Sequence, residues 1–249
     1  SMQNIPARKE LLLQVAEIVK RHKAPFFTHL AETKREVEEC KERYGMTPTQ
    51  LLNDLGLFDY GGGGYHCVYM DDKDIEIFKE KKLTAVTNPA SNLKLASGIA
   101  PVSRFLKEGI PVAIGTDGAG SNNCLDMFRE MFLVTGLAKY RDMDAASTDA
   151  IEVLKMATVN GAKAMGLTDS DVLAPGKYAD LIMIDMHQPN MQPINNIAKN
   201  IVYSGSKQNV KMTMIDGKIL YEDGKFFIGE DPEKLYAKAN EIADRLRQE

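Results

Sequence analysis

The stretch "VAIGTDGAGSNN", residues 112–123, decides how the rest of the chain is read. An apolar run, Val112-Ala113-Ile114, gives way to Gly115 and Thr116 and then sets Asp117 at its tip. Three accounts compete for that carboxylate. Asp117 is a turn residue, since Asp and Gly both favour turns. It belongs to a phosphate-binding loop with Gly115, Gly118 and Gly120. Or it is a metal ligand or catalytic base at the end of a barrel strand. The phosphate loop fails on detail: Gly-Thr-Asp-Gly-Ala-Gly has the wrong spacing for GxGxxG, and a P-loop lysine is missing.

Upstream, the same pattern recurs. Short apolar segments at about 25–30, 64–70, 83–88 and 112–117 read as strands, and each is followed by a helical segment. Strands alternating with helices imply parallel pairing through right-handed crossovers. The four strands end, in order, at His29, His66, Asn88 and Asp117. In β/α barrels the active site lies at the C-terminal ends of the strands. Taken alone, each residue has a plainer account: a histidine satisfied at a strand end, or a turn aspartate. Glu32, three residues after His29, reads by itself as an acid favouring a helix N-terminus. Together, three independently placed strand ends offer imidazole, imidazole and carboxylate, which are zinc-type donors.

Between the strands, "ELLLQVAEIVKRH" places Leu11, Leu12, Val15, Ile18 and Val19 on one helical face. Gly45 closes the helix after Glu32, and Thr47-Pro48 opens another. Residues 149–166 read as one helix. The "GGGG" at 61–64 reads as a flexible loop before its strand, and Cys67 as a core residue inside that strand. His22 and His187 read as solvated. Beyond about residue 172 the pattern turns to short strands joined by Asp216-Gly217 and Asp223-Gly224, both hairpin signals, and then a terminal surface helix.

Composition narrows the function classes. The 249 residues carry 31 basic and 35 acidic side chains, a net charge of −4, so no nucleic-acid footprint is expected. No apolar run has the roughly 18 residues of a membrane span. The first residues lack the apolar core of a secretion signal, and three cysteines without CxxC spacing suit a reducing, cytoplasmic setting.

"HLAET", "HCVYM", "TNPASNLKLASGIAPV" and "GTDGAGSNNCLDMFREM" resemble the metal-dependent amidohydrolase superfamily, in its branch of 5-methylthioadenosine/S-adenosylhomocysteine deaminases and chlorohydrolases. "LAPGKYADLIMID" and "MTMIDGKILYEDGKF" are similar to that family's return into a small β-sandwich. The resemblance implies roles. His29 and Asp117 would be ligands of a zinc ion (or of Fe2+ or Mn2+). Glu32 would be a proton shuttle that also touches a purine. His66 would contact the attacking water or the tetrahedral intermediate, and Asp117 would also take a proton from that water. Catalysis would fall to Glu32, His66 and Asp117, with Glu32 and His66 binding substrate, a purine nucleoside losing ammonia. Sister chemistry of the chlorohydrolase or guanine deaminase type would use the same site. So the fold expected is α/β: the C-terminal half of a (β/α)8 barrel, strands five to eight, over residues 1–171. A β-sandwich segment and terminal helix would fill residues 172–249.

The departures set further expectations. The family's first two ligands form a His-x-His pair, and the four histidines here, at 22, 29, 66 and 187, include none. The family's opening strands are absent too, and "SM" at the start resembles an expression remnant. The chain is therefore expected to be a half. Its two sheet edges would be covered by the missing N-terminal half or by a second copy. The contrasting expectation is an inactive half-barrel that serves as an assembly module.

Overall fold

The computed structural model describes residues 9–248; the opening Ser1-Met2 lies outside them. Helix α1 (Lys9–His22) leads into β1 (Phe26–Leu30), then α2 (Lys34–Tyr44), α3 (Pro48–Asp54), β2 (Gly62–His66), α4 (Asp72–Glu80) and β3 (Thr84–Thr87). Next come α5 (Pro89–Lys94), α6 (Val102–Lys107), β4 (Val112–Ile114), α7 (Ala119–Asn122), α8 (Met127–Asp142), α9 (Ala150–Ala157) and α10 (Val159–Ala164). The remainder holds β5 (Leu181–Ile184), α11 (Ile197–Lys199), β6 (Val210–Ile215), β7 (Lys218–Glu222), β8 (Lys225–Phe226) and α12 (Pro232–Gln248).

The first four strands form one parallel sheet in the order β1-β2-β3-β4. Register fixes which side chains share a face. Thr28, Gly64, Ala85 and Val112 form one row, His29, Tyr65, Val86 and Ala113 the next. The first row faces the helices, where Phe78, Phe105, Val153 and Met156 are buried with Val112. On the opposite face, Phe27, Tyr65, Val86, Ala113 and Met165 line an apolar hollow of about 480 Å³.

The tetraglycine is not a loop. Gly62, Gly63 and Gly64 are the first residues of β2, and that strand ends at His66, not at residue 70. The reason is close approach. A Cβ on Gly62 would sit 1.9 Å from the Phe26 carbonyl oxygen, and one on Gly63 1.9 Å from that of Thr84. Cys67 is fully buried, as expected, but lies just past the strand.

Two helices differ from expectation. On α1 the packed stripe is Leu12, Val15, Ala16 and Val19, whereas Leu11 and Ile18, one position away on the helical wheel, are exposed. The helix expected over 149–166 is broken at Thr158, whose φ of −129° and ψ of −99° are not helical. There the Thr158 hydroxyl donates back to the Leu154 carbonyl, and Asn160 Nδ2 donates to the Val112 carbonyl of β4 at 2.8 Å. The break lets α10 cover part of the free side of β4.

Strands β5 to β8 form a single antiparallel sheet in chain order. Asp216-Gly217 and Asp223-Gly224 turn its hairpins with both residues of each pair at positive φ, the two-residue turn that such pairs favour. The segment before β6 packs back on the main core: Val202 is fully buried in the same apolar cluster as Val153 and Phe128. No described helix is long and apolar enough to cross a membrane.

Candidate metal centre

His29 stands on β1 next to its last residue. By strict alternation, its β2 neighbour on the same face is Tyr65, and His66 belongs to the other face. The backbone overrides that alternation. His66 takes φ +71° and Cys67 φ +49°, so the chain leaves the strand in the left-handed region. The Cys67, Val68 and Tyr69 N–H groups bond to the carbonyls of Leu30 and Ala31. The His66 ring thereby comes to 5.1 Å from the His29 ring, centroid to centroid. Asp117 follows β4 with φ +58°, a conformation an aspartate tolerates well.

The three side chains converge. One ligand atom each from His29, His66 and Asp117 lies within 4.8 Å of the others. His29 Nε2 is 3.9 Å from Asp117 Oδ1, and His66 Nε2 is 4.0 Å from Glu32 Oε2. All four candidate residues therefore share one rim, at the C-terminal ends of β1, β2 and β4. Asn88 follows β3 directly but stays outside the cluster; it is buried beneath Gly115, whose added Cβ would meet Asn88 Oδ1 at 2.3 Å. His22 and His187 are exposed, as expected.

Each group is held by partners that strand reading does not find. His66 is fully buried, and its Nδ1 faces Asn92 Oδ1 at 2.7 Å. An amide oxygen only accepts, so Nδ1 donates to Asn92 and the ring is fixed with Nε2 turned towards the site. That Nε2 has no hydrogen-bond partner and is buried, an orphaned polar atom facing the space between Glu32, His29 and Asp117. Asp117 Oδ2 accepts from Ser91 at 2.6 Å and Ser121 at 2.8 Å, and Oδ1 accepts from the Gly118 N–H at 2.7 Å. Glu32 accepts at Oε1 from Ser97 at 3.1 Å. Glu36 reaches back one turn and takes the Ala31 and Glu32 N–H groups at 3.1 and 2.8 Å, fixing the backbone that carries Glu32. For Ser91, Asn92, Gly118 and Ser121 the sequence signal is the polar pair of stretches "TNPASN" and "TDGAGSNN" after β3 and β4, and for Glu36 it is the Thr33-x-x-Glu36 spacing at the start of α2.

Electrostatics suits metal binding. Burial, and next the neighbouring His66, hold the His29 imidazole below its ordinary value of 6.5, against the pull of Asp117 and Glu32. Burial alone would raise the Asp117 carboxyl, but the hydrogen bonds from Ser91, Ser121 and Gly118, with His66 beside it, hold it below the usual carboxylate range. A neutral imidazole and an ionised carboxylate are the forms that ligate zinc. The donor set fits a divalent ion of that kind: two imidazole nitrogens and one carboxylate oxygen, one of the nitrogens buried and unpartnered.

A parallel β/α sheet with such donors at the ends of its strands has the layout of a β/α hydrolase. The chain belongs to the amidohydrolase family, whose model matches residues 5–220. It is 43% identical over 237 residues to a 5-methylthioadenosine/S-adenosylhomocysteine deaminase of Caldanaerobacter subterraneus subsp. tengcongensis, covering 94% of this chain and 54% of the relative. It is 40% identical to a 5'-deoxyadenosine deaminase of Methanosarcina mazei, covering 95% of this chain and 54% of that one. An adenosine deaminase from Xanthomonas campestris, crystallised with bound zinc, superimposes with a TM-score of 0.90 at 32% identity, over 96% of this chain and 54% of that one. The chain thus spans about half the length of the relatives it matches.

Proposed function

We propose that this chain is the C-terminal part of a zinc-dependent hydrolytic deaminase acting on purine nucleosides. The observation that carries the reading is the convergence of His29, His66 and Asp117 within 4.8 Å, with the Glu32 carboxylate beside them. The names of the relatives, deaminases of S-adenosylhomocysteine, 5-methylthioadenosine and 5'-deoxyadenosine, support the substrate class. On this reading β1 to β4 are strands five to eight of a (β/α)8 barrel over residues 1–171. Residues 172–249 are one layer of a β-sandwich and a terminal helix. The open edges of the sheet meet the rest of a longer polypeptide, or a second copy, in the cytoplasm.

His29 and Asp117 would hold the metal, with His66 Nε2 close enough to serve as a third donor or to bind the substrate's reacting centre. A bound zinc ion supplies Lewis acidity, bringing the pKa of water towards ~7. Asp117, kept ionised by its two serines, takes a proton from the attacking water. Glu32, held by Ser97 and by the Glu36-bound backbone, carries a proton to the purine ring and on to the departing amine. His66, its Nδ1 proton committed to Asn92, turns Nε2 to the same centre. Metal content and turnover of the complete gene product test this. Ammonia should be released from S-adenosylhomocysteine, 5-methylthioadenosine, 5'-deoxyadenosine or adenosine. Glu32→Gln should abolish turnover with zinc retained. Ammonia release from guanine alone, or chloride release from a chlorotriazine alone, would replace the substrate class, and absence of bound metal would refute the reading.

A further inference from the structure

Glu130 is a buried acid with no part in the chemistry above. It lies on α8 with its side chain fully buried. Its Oε2 accepts from the Ala90 N–H at 3.0 Å, and its Oε1 accepts from Asn122 Nδ2 at 2.7 Å. The same Asn122 nitrogen donates to the Thr116 carbonyl at 2.7 Å, and Asn122 is itself buried. One carboxylate therefore ties together, from the interior, two segments that also meet at the rim through the Ser91–Asp117 hydrogen bond. The loop after β3 carries Ser91 and Asn92, which hold Asp117 and His66. The loop after β4 carries Asp117. An apolar residue would fill the space but link neither loop, and a buried carboxylate is costly unless both oxygens are satisfied.

We propose that Glu130 is a positioning residue of the metal centre: through Ala90 and Asn122 it sets the spacing between Asp117 and the Ser91-Asn92 turn, and so between Asp117 and His66. This rests on the reading of Asp117 as a metal ligand. The loop after β4 has a second fastening on its outer side, where Lys94 of α5 donates to the Gly120 carbonyl at 2.7 Å and to Asn123 Oδ1. Lys94 is exposed, so Glu130 is the interior anchor.

The test compares wild type with Glu130→Gln and Asn122→Ala. Glutamine keeps the shape but turns an NH2 towards one of the two donors, so one link must break. Hydrogen exchange by mass spectrometry reads the loops directly, and zinc competition against a chromophoric chelator reads the site. In Glu130→Gln, exchange should rise in peptides covering 88–92 and 114–124 and not elsewhere in the sheet. Zinc affinity should fall roughly 10–100-fold, as for other residues that orient metal ligands, with the thermal midpoint lowered by no more than the loss of one buried hydrogen bond accounts for. In Asn122→Ala only 114–124 should loosen. Unchanged protection in both loops would overturn the proposal. So would a loss spread evenly over the whole sheet, or loosened loops with zinc affinity intact. Asp117→Asn separates the two readings. If it binds zinc as tightly as wild type, the metal assignment fails, and the exchange pattern alone then upholds or overturns the Glu130 link.

Discussion

Gly63→Ala is the sharpest test of the sheet that carries the site. The added methyl would lie 1.9 Å from the Thr84 carbonyl oxygen, 2.8 Å from Phe27 Cε1 and 2.9 Å from the Thr84 carbonyl carbon. Real Cβ atoms essentially never come closer than 3.0 Å, so β2 and β3 must part by more than an ångström at that point. The obstacle is backbone, so no rotamer change relieves it. Gly63 pairs with Thr84 in a ladder only three residue pairs long, which leaves little pairing to spare. Overpacking of a well-packed interior costs about 1–3 kcal/mol. A lost ladder hydrogen bond adds about 1 kcal/mol. A total of about 2–4 kcal/mol is a large share of the roughly 5–15 kcal/mol available to a domain. Urea unfolding followed by far-UV circular dichroism measures it as a fall in midpoint at constant slope. Gly45→Ala is the control, since its φ is +72° but nothing lies within 4 Å. It should cost only about 1–2 kcal/mol, the left-handed penalty. If Gly63→Ala loses less than Gly45→Ala, the close-approach reasoning is wrong.

Three further outcomes are expected. Gly136 lies inside α8 with open space around its Cβ position, so Gly136→Ala should raise stability by about 1 kcal/mol in the same urea assay; a loss would mean an undetected neighbour. Asn92→Leu strips the partner from a buried His66 Nδ1–H, and should cost about 1–3 kcal/mol and weaken zinc binding; unaltered stability would show that the ring finds another acceptor. His29 should titrate by NMR with a midpoint below 6.5. Because its folded value is lowered, the unfolded chain holds the proton to higher pH. The His29 contribution to stability is therefore full above about 6.5 and is lost as pH falls through the folded midpoint. A midpoint at or above 6.5 would remove burial as the dominant influence on that ring.

The parallel strands and their terminal residues were legible because a buried strand writes its own apolar run. His29, His66 and Asp117 each sit at the end of one. The hairpins after β6 and β7 were equally plain, since Asp-Gly pairs supply the positive φ the turns need. What the sequence hides depends on contacts between distant segments. Gly62 to Gly64 read as a loop because their purpose is the nearness of Phe26 and Thr84, which no local pattern reveals. The break at Thr158 comes from a bond to β4 some 48 residues earlier. Asn92, Ser97 and Glu130 act at separations of 26, 65 and 40 residues, and on their own helices and loops they look like ordinary polar positions.

The rim itself joins the two kinds of information. Left-handed backbone occurs at Ala31, two residues after His29, at His66 and at Asp117. For residues other than glycine this conformation costs on the order of 1–2 kcal/mol each, least for aspartate. At each place a specific partner offsets the strain. Glu36 takes the Ala31 and Glu32 N–H groups, Asn92 takes His66 Nδ1, and the Gly118 N–H meets Asp117. Relaxing these residues into regular strand geometry would favour the local backbone and, at β2, return His66 to the face opposite His29. The fold instead keeps three strained strand ends and surrounds them with buried hydrogen bonds. Strained backbone clustered in this way is the pattern of a functional site, and here it brings two imidazoles, a carboxylate and Glu32 to one point.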